Sequence, residues 1–222
     1  HNGTIYRWNR PCYGISENGK PHLRIELRVL PSGPTVADEV GNAALWLGLM
    51  SELGATLEGD IPARMDFDHA RANLYAAARD GLGARFHWLD GDEVPAQTLL
   101  LSSLLPLARK GLARAGIDPA DAHHYLGIVE RRVATLRTGS RWMLQSMAGM
   151  KDRGSSGARL TALVAAMIAR QRTDRVVSDW ERARLDENDS ARTGVQKVSQ
   201  YMTTDIFTVR PDDPVELVSE LM

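Results

Sequence analysis

Residues 21–30, Pro-His-Leu-Arg-Ile-Glu-Leu-Arg-Val-Leu, alternate polar and apolar side chains with the period of a β-strand. Leu23, Ile25, Leu27 and Val29 fall on one face, and His22, Arg24, Glu26 and Arg28 fall on the other. A second stretch of strand character covers residues 3–8. The loop at residues 14–19 (GISENG) holds an Asn-Gly pair that favours a tight turn, so the three pieces predict a β-hairpin. From residue 34 the period becomes helical. Thr35 fits an N-cap with Asp38 at the third helical position, and Val36, Val40, Ala43, Leu47 and Met50 recur on one face as far as Gly54. That helix is expected to pack under the hairpin. Further helices are predicted over 67–79, 96–115, 119–136, 141–150 and 158–184, with a short extended piece at 86–89. Gly81 and Gly83 punctuate the first of these, and Asp118-Pro119 opens another with proline in its first turn. The fold class is therefore α+β, a hairpin followed by a large helical bundle. The polar stretch 185–193 (LDENDSART) is the expected linker, and a new unit begins near Val195.

Composition narrows the class without naming a function. The 222 residues carry a formal net charge of -1 and are 43% hydrophobic, as in soluble globular proteins with one or two cores. This balance leaves no electrostatic footprint for nucleic acid. Residues 151–184 hold eight Lys/Arg against four Asp/Glu, but as an amphipathic helix with Leu160, Leu163, Val164, Met167 and Ile168 as its apolar stripe, so a solvated basic face is expected. The longest apolar run, at 162–169, falls short of the ~20 residues a membrane span needs, and a cytoplasmic protein is expected. A single cysteine, Cys12, cannot form an internal disulfide, in keeping with a reducing compartment. The chain begins at His1 without an initiator methionine and stops at Met222 inside a helical pattern, so it reads as a fragment whose isolated activity is expected to be nil.

Two readings fit the charged strand face. One is a surface ladder of Arg-Glu-Arg ion pairs on a half-solvated sheet. The other is a cavity lining, in which Glu26 offers carboxylate oxygens to Mg2+ and Arg24 and Arg28 offer bidentate donors to phosphate or carboxylate. Joining a carboxylate to an amine by way of an acyl phosphate needs such a set, because negative charge gathers on the transferred phosphoryl group. Period alone leaves both readings open.

The string RIELRVLPSGPTVADEVGNAALWLGLM, residues 24–50, resembles the Arg-x-Glu-x-Arg strand and following Ala-rich helix of glutamine synthetases and glutamate-cysteine ligases. HNGTIYRWNRPCYG (1–14) and MDFDHARANLYAAARDGL (65–82) are similar to a narrower carboxylate-amine ligase branch that carries a C-terminal CBS pair. The resemblance implies a catalytic domain over residues 1–190, built on a glutamine-synthetase-like antiparallel sheet and dependent on ATP and Mg2+. It implies a metal-ligand role for Glu26, a nucleotide-side role for Arg24 with His22 beside it, and an anion-binding role for Arg28. It also implies a phosphate-side arginine on the preceding strand, Arg10, with Arg7 as second choice. The implied substrates are a carboxylate such as glutamate and an amine such as that of cysteine. Where a glutamine synthetase shows an aspartate shortly after the strand, this chain has Leu30-Pro31-Ser32, so substrate-side contacts do not carry over. Residues 195–222 resemble the truncated opening of a CBS domain, which implies adenine-nucleotide regulation, and a homo-oligomer is expected. The alternative is a ligase-like module without chemistry, coupled to nucleotide sensing by the CBS unit.

Smaller expectations complete the reading. Cys12 is a small buried filler. Asp38 and Glu39 serve the helix dipole. Asp68, Arg71 and Asn73 lie near the cavity mouth, with Arg71 as a weak site candidate. His1 and His22 are candidates to bind nucleotide or substrate, with the role of hydrogen-bonded neighbour expected first, and His123-His124 mark a surface turn. Trp46, Trp88, Trp142 and Trp180 belong to the core.

Overall fold

The computed structural model describes residues 9–30, 33–56, 61–91 and 93–187. The expectations for residues 3–8, Arg7, His1 and the CBS-like unit at 195–222 lie outside the described residues. The Asn18-Gly19 pair makes the predicted turn: Gly19 takes φ 76°, and the Ser16 hydroxyl closes the loop by donating to the Lys20 carbonyl at 2.8 Å. Strands β1 (Asn9–Ile15) and β2 (Pro21–Leu27) flank it as an antiparallel pair. Among the described residues β1 therefore occupies 9–15, beyond the predicted strand at 3–8 and into the predicted loop at 14–19. Pro11 and Gly14 depress its strand character, and a two-stranded sheet tolerates both because each strand is an edge.

Helix α1 (Val36–Thr56) starts where the sequence places it. The Asp38 amide donates to Thr35 Oγ1 at 3.2 Å, and the Thr35 hydroxyl donates to the Asp38 carboxylate at 2.8 Å. The chain continues through α2 (Ile61–Arg64), α3 (Phe67–Asp80), the short strands β3 (Arg85–His87) and β4 (Glu93–Pro95), and α4 (Ala96–Leu99). A π-helical stretch over Leu100–Leu104 leads into α5 (Leu105–Arg114). The remainder is α6 (Pro119–Thr135), α7 (Gly139–Gly149) and α8 (Ser156–Gln171). Asp66, Asp118, Thr138 and Ser155 cap α3, α6, α7 and α8 with side-chain oxygens, which is why these starts are legible from sequence. The β3–β4 pair stands where the sequence predicts only one extended piece, at 86–89, because β4 is three residues long and ends in proline.

The face on which α1 packs differs from the predicted one. Val36, Val40, Leu47 and Met50 are exposed, whereas Gly41, Gly48 and Glu52 are buried and Ala44, Leu45 and Leu49 pack on the core. The reason is glycine. A Cβ on Gly48 would run into the Ala108 carbonyl oxygen, so α1 and α5 cross with their backbones in contact where Gly48 meets Gly111. The helix has apolar residues on both sides, and the small ones permit the closer approach.

The core has two parts. Leu105, Ala108, Leu112, Ala122, Leu126, Val129 and Val133 join α5 to α6 beneath α1. Trp142, Ala162, Leu163, Ala166, Val177 and Trp180 join α7 and α8 to the segment that follows α8. That segment corrects the predicted helix 158–184: α8 ends at Gln171, Asp174 takes φ 55°, and the chain turns back so that Val177 and Trp180 enter the core. Leu160, Val164 and Ile168, placed on the apolar stripe from sequence, are exposed, and the buried face of α8 is Ala162, Leu163 and Ala166. Trp142 and Trp180 are core residues as expected, meeting edge to face at 5.1 Å, while Trp46 and Trp88 are half-buried.

Asp38 is fully buried and does more than serve the helix dipole. Its carboxylate accepts from the Val177 amide at 3.0 Å and lies 3.7 Å from the Arg132 guanidinium. Arg132 in turn donates to Asn42 Oδ1 at 2.8 Å. Burial pushes the Arg132 guanidinium down from its ordinary value, and the nearby carboxylate opposes that shift. The start of α1, the last turn of α6 and the segment after α8 are thereby tied at one point.

Candidate active site on the hairpin

Opposite residues of an antiparallel pair project to the same side. The register sets Arg10 opposite Glu26, Cys12 opposite Arg24 and Gly14 opposite His22, so Arg10, Cys12 and Gly14 join the face predicted to be charged. On this face Cys12, Gly14, His22, Glu26 and Arg28 are half-buried and Arg10 and Arg24 exposed, while on the apolar face Leu27 is half-buried and Tyr13, Ile15, Leu23 and Ile25 stay 64–83% exposed. The expectation that α1 covers the apolar face is not met.

Glu26 is the centre of the charged face. Arg28 donates from Nε to Oε1 at 3.0 Å and from Nη2 to Oε2 at 3.1 Å, a bidentate fork. Arg10 Nη2 approaches Oε2 at 2.7 Å from the other strand, and the Cys12 thiol lies 3.6 Å from the same oxygen. The hydrogen bond from Arg28, helped by the charges of Arg10 and Arg28, holds the Glu26 carboxyl below the ordinary glutamate value against the opposing effect of desolvation. The Arg10 guanidinium is raised, first by its contact with Cys12 and then by the charge of Glu26. Cys12 is a free thiol whose contacts, to Glu26 and to the Arg10 carbonyl, place it in the charged cluster and not in an apolar filling.

Arg24 stands apart. Its Nη1 lies 3.0 Å from His22 Nε2, and among the described residues no carboxylate pairs with it. The structure therefore brings all five predicted residues, Arg10, His22, Arg24, Glu26 and Arg28, onto one surface, where Arg10 and Arg28 share the one carboxylate of Glu26 and Arg24 pairs with none among the described residues. As a test of fit for Mg2+, Glu26 retains acceptor capacity on Oε1, which takes one hydrogen bond. Among the described residues no group of three or more His, Cys, Asp or Glu converges on a metal position. One carboxylate with remaining ligands from phosphate and water is a normal magnesium environment, so the donor set fits the ion only together with a phosphorylated ligand.

Other candidates serve local structure. Arg71 pairs with Asp68 on the exposed side of α3, and Asn73 brackets the His87 backbone by accepting from its amide at 2.9 Å and donating to its carbonyl at 2.6 Å. His69, paired with Asp66, stacks on His87 with centroids 4.8 Å apart. His123 and His124 are exposed on α6. A groove of about 870 Å³ opens beside the connector from β2 to α1, where Leu30, Gly33 and Pro34 meet Trp46, Leu49 and Trp142. Sequence reasoning missed Gly14 and Asp38. Gly14 was read as loop, and a buried carboxylate at a helix start has the same local signature as an exposed dipole partner.

No helix among the described residues is long and apolar enough to cross a membrane. Comparison with curated proteins and with solved structures returns no match. The sequence model of glutamate-cysteine ligase family 2 matches residues 2–166, a span that contains the charged hairpin face and the bundle through most of α8. With the Arg-x-Glu-x-Arg strand and its paired Arg10 inside that span, the chain belongs to glutamate-cysteine ligase family 2.

Proposed function

We propose that this chain carries part of the active site of an ATP- and magnesium-dependent carboxylate-amine ligase acting through an acyl phosphate. The observation that carries the reading is the gathering of Arg10, Cys12, Arg24, Glu26 and Arg28 on one face of a hairpin, around the half-buried Glu26 and Arg28. Family membership supports ligase chemistry in general terms.

In this reading the substrate carboxylate attacks the γ-phosphorus of ATP. The new bond joins carboxylate oxygen to phosphorus, the bridging phosphorus–oxygen bond breaks, and ADP leaves with the electron pair. The amine nitrogen then attacks the acyl carbon, the carbon–oxygen bond to phosphate breaks, inorganic phosphate departs, and the nitrogen gives up its proton to solvent. Glu26, held ionised by Arg28 and Arg10, is the carboxylate for the cation, which when bound neutralises charge on the nucleotide phosphates. Arg24 takes the nucleotide side. Arg28 and Arg10 fix positive charge where the phosphoryl group gathers negative charge, and no reorganisation is needed because Glu26 already orients both. Glutamate is the carboxylate and an amine such as that of cysteine the acceptor. The domain belongs to the glutamine-synthetase-like class over residues 1–190, with a CBS-type adenine-nucleotide unit from 195 onward. ADP release by the full-length polypeptide carrying this chain, with Mg-ATP, L-glutamate and a panel of amines, tests the reading: amine-dependent release is expected, and ATP binding without release under any carboxylate–amine pair would overturn it.

A further inference from the structure

Gly14 was absent from the predicted site, yet it sits in the middle of the charged face, opposite His22. A Cβ built on it would stand 2.7 Å from His22 Nε2 and 2.8 Å from Arg24 Nη1, closer than real Cβ atoms come to their neighbours. The imidazole and the guanidinium thus lie down across a hollow that exists because residue 14 has no side chain. Inside that hollow the two touch: Arg24 Nη1 and His22 Nε2 are 3.0 Å apart. An arginine has only donors, so in this contact Nε2 is the acceptor. Arg24 also lacks a carboxylate partner among the described residues, whereas Arg10 and Arg28 are both held by Glu26.

We infer that Gly14 and His22 are positioning residues for Arg24. The hollow lets the guanidinium lie flat, the imidazole acceptor fixes its orientation without cancelling its charge, and the uncompensated cation is left to bind the phosphate chain of a nucleotide. His22 acts through Arg24 and does not touch the nucleotide. A carboxylate in place of His22 would brace Arg24 equally well but would compete with the phosphates, which is the physical reason for a neutral acceptor here. This inference rests on the nucleotide role proposed for Arg24 above.

The test is calorimetric binding of a magnesium complex of a non-hydrolysable ATP analogue to the full-length polypeptide, beside amine-dependent ADP release. In Gly14→Ala the atoms in the way are the far ends of two flexible side chains, so the hairpin is expected to fold with an unchanged Tm while the analogue binds about tenfold more weakly, a loss comparable with one misplaced charge-assisted hydrogen bond. His22→Gln keeps an acceptor and is expected to stay within a few-fold of wild type. His22→Leu removes the acceptor and is expected to follow Gly14→Ala, with KM for the amine unmoved in each case. Equal binding by wild type and Gly14→Ala, or equal loss in His22→Gln and His22→Leu, would overturn the inference. The two proposals fail separately: absence of turnover with this binding pattern intact sinks the ligase chemistry alone, and a flat binding series in an enzyme that turns over sinks the positioning role alone.

Discussion

The bundle and the hairpin handle charge in opposite ways. In the bundle, Asp38 is buried against Arg132 and the Val177 amide, and Glu52 is buried against Arg114, so each ionised group ties two or more elements together while the apolar side chains fill the core between them. On the hairpin the apolar residues Tyr13, Ile15, Leu23 and Ile25 face water, and of the ionised residues on the other face Glu26 and Arg28 are half-buried while Arg10 and Arg24 are exposed. Packing within the described residues accounts for the first arrangement, because every buried charge has structural partners. It does not account for the second: a hairpin stabilised by its own burial would hide leucine and isoleucine before arginine. The exposed apolar face and the clustered charges opposite it motivate the binding role proposed for the hairpin.

The contrast can be broken in the bundle first. Asp38→Ala removes the carboxylate that Arg132, Thr35 and Val177 share, leaving a buried cation, and is expected to cost about 3–5 kcal/mol in denaturant unfolding. A loss below about 1 kcal/mol would show that the node does not organise the fold. Next, Gly111→Ala would drive a Cβ into the Gly48 carbonyl; separation of α1 from α5 is expected to cost about 1–3 kcal/mol, read as a lowered Tm. On the hairpin the expectation is the reverse. Leu23→Ser and Ile25→Ser in this chain are expected to shift stability by at most about 0.5 kcal/mol, because the side chains are already exposed. A large loss from either would show that the apolar face is covered.

The smallest expected effect concerns pH. The folded carboxyl of Glu26 lies below its ordinary value because Arg28 and Arg10 prefer it ionised. Its contribution is therefore present above the ordinary glutamate range and is lost as pH falls through the lowered folded value. An NMR titration of the Glu26 side-chain carbon is expected to give a midpoint below that of a glutamate in an unstructured peptide. A midpoint at or above that reference would mean that the arginine fork does not persist in solution.

Legibility from sequence followed the same division. Helix starts were readable where a side chain caps them, as at Thr35, Asp66 and Asp118, because capping is local. The charged face was readable because strand alternation is local too. The packing face of α1 was not, since its contact with α5 depends on Gly48 meeting Gly111, residues more than sixty positions apart, and apolar period alone selects the larger side chains. The turn after α8 was hidden for a similar reason: Val177 and Trp180 continue a helical apolar pattern but find better burial beside Trp142 once Asp174 reverses the chain. Asp38 and Gly14 owe their roles to partners across the fold or across the sheet. Composition around them carries no sign of either.

The central claim is that the charged hairpin face is a phosphoryl-transfer surface and not an ion-pair ladder, and replacement of Glu26 separates the two most directly. In the full-length polypeptide, Glu26→Ala is expected to lower amine-dependent ADP release about a hundredfold or more while Tm stays within the small range of an exposed ion pair. Turnover equal to wild type in a folded Glu26→Ala protein would contradict the account and leave Arg10, Glu26 and Arg28 as a structural ladder.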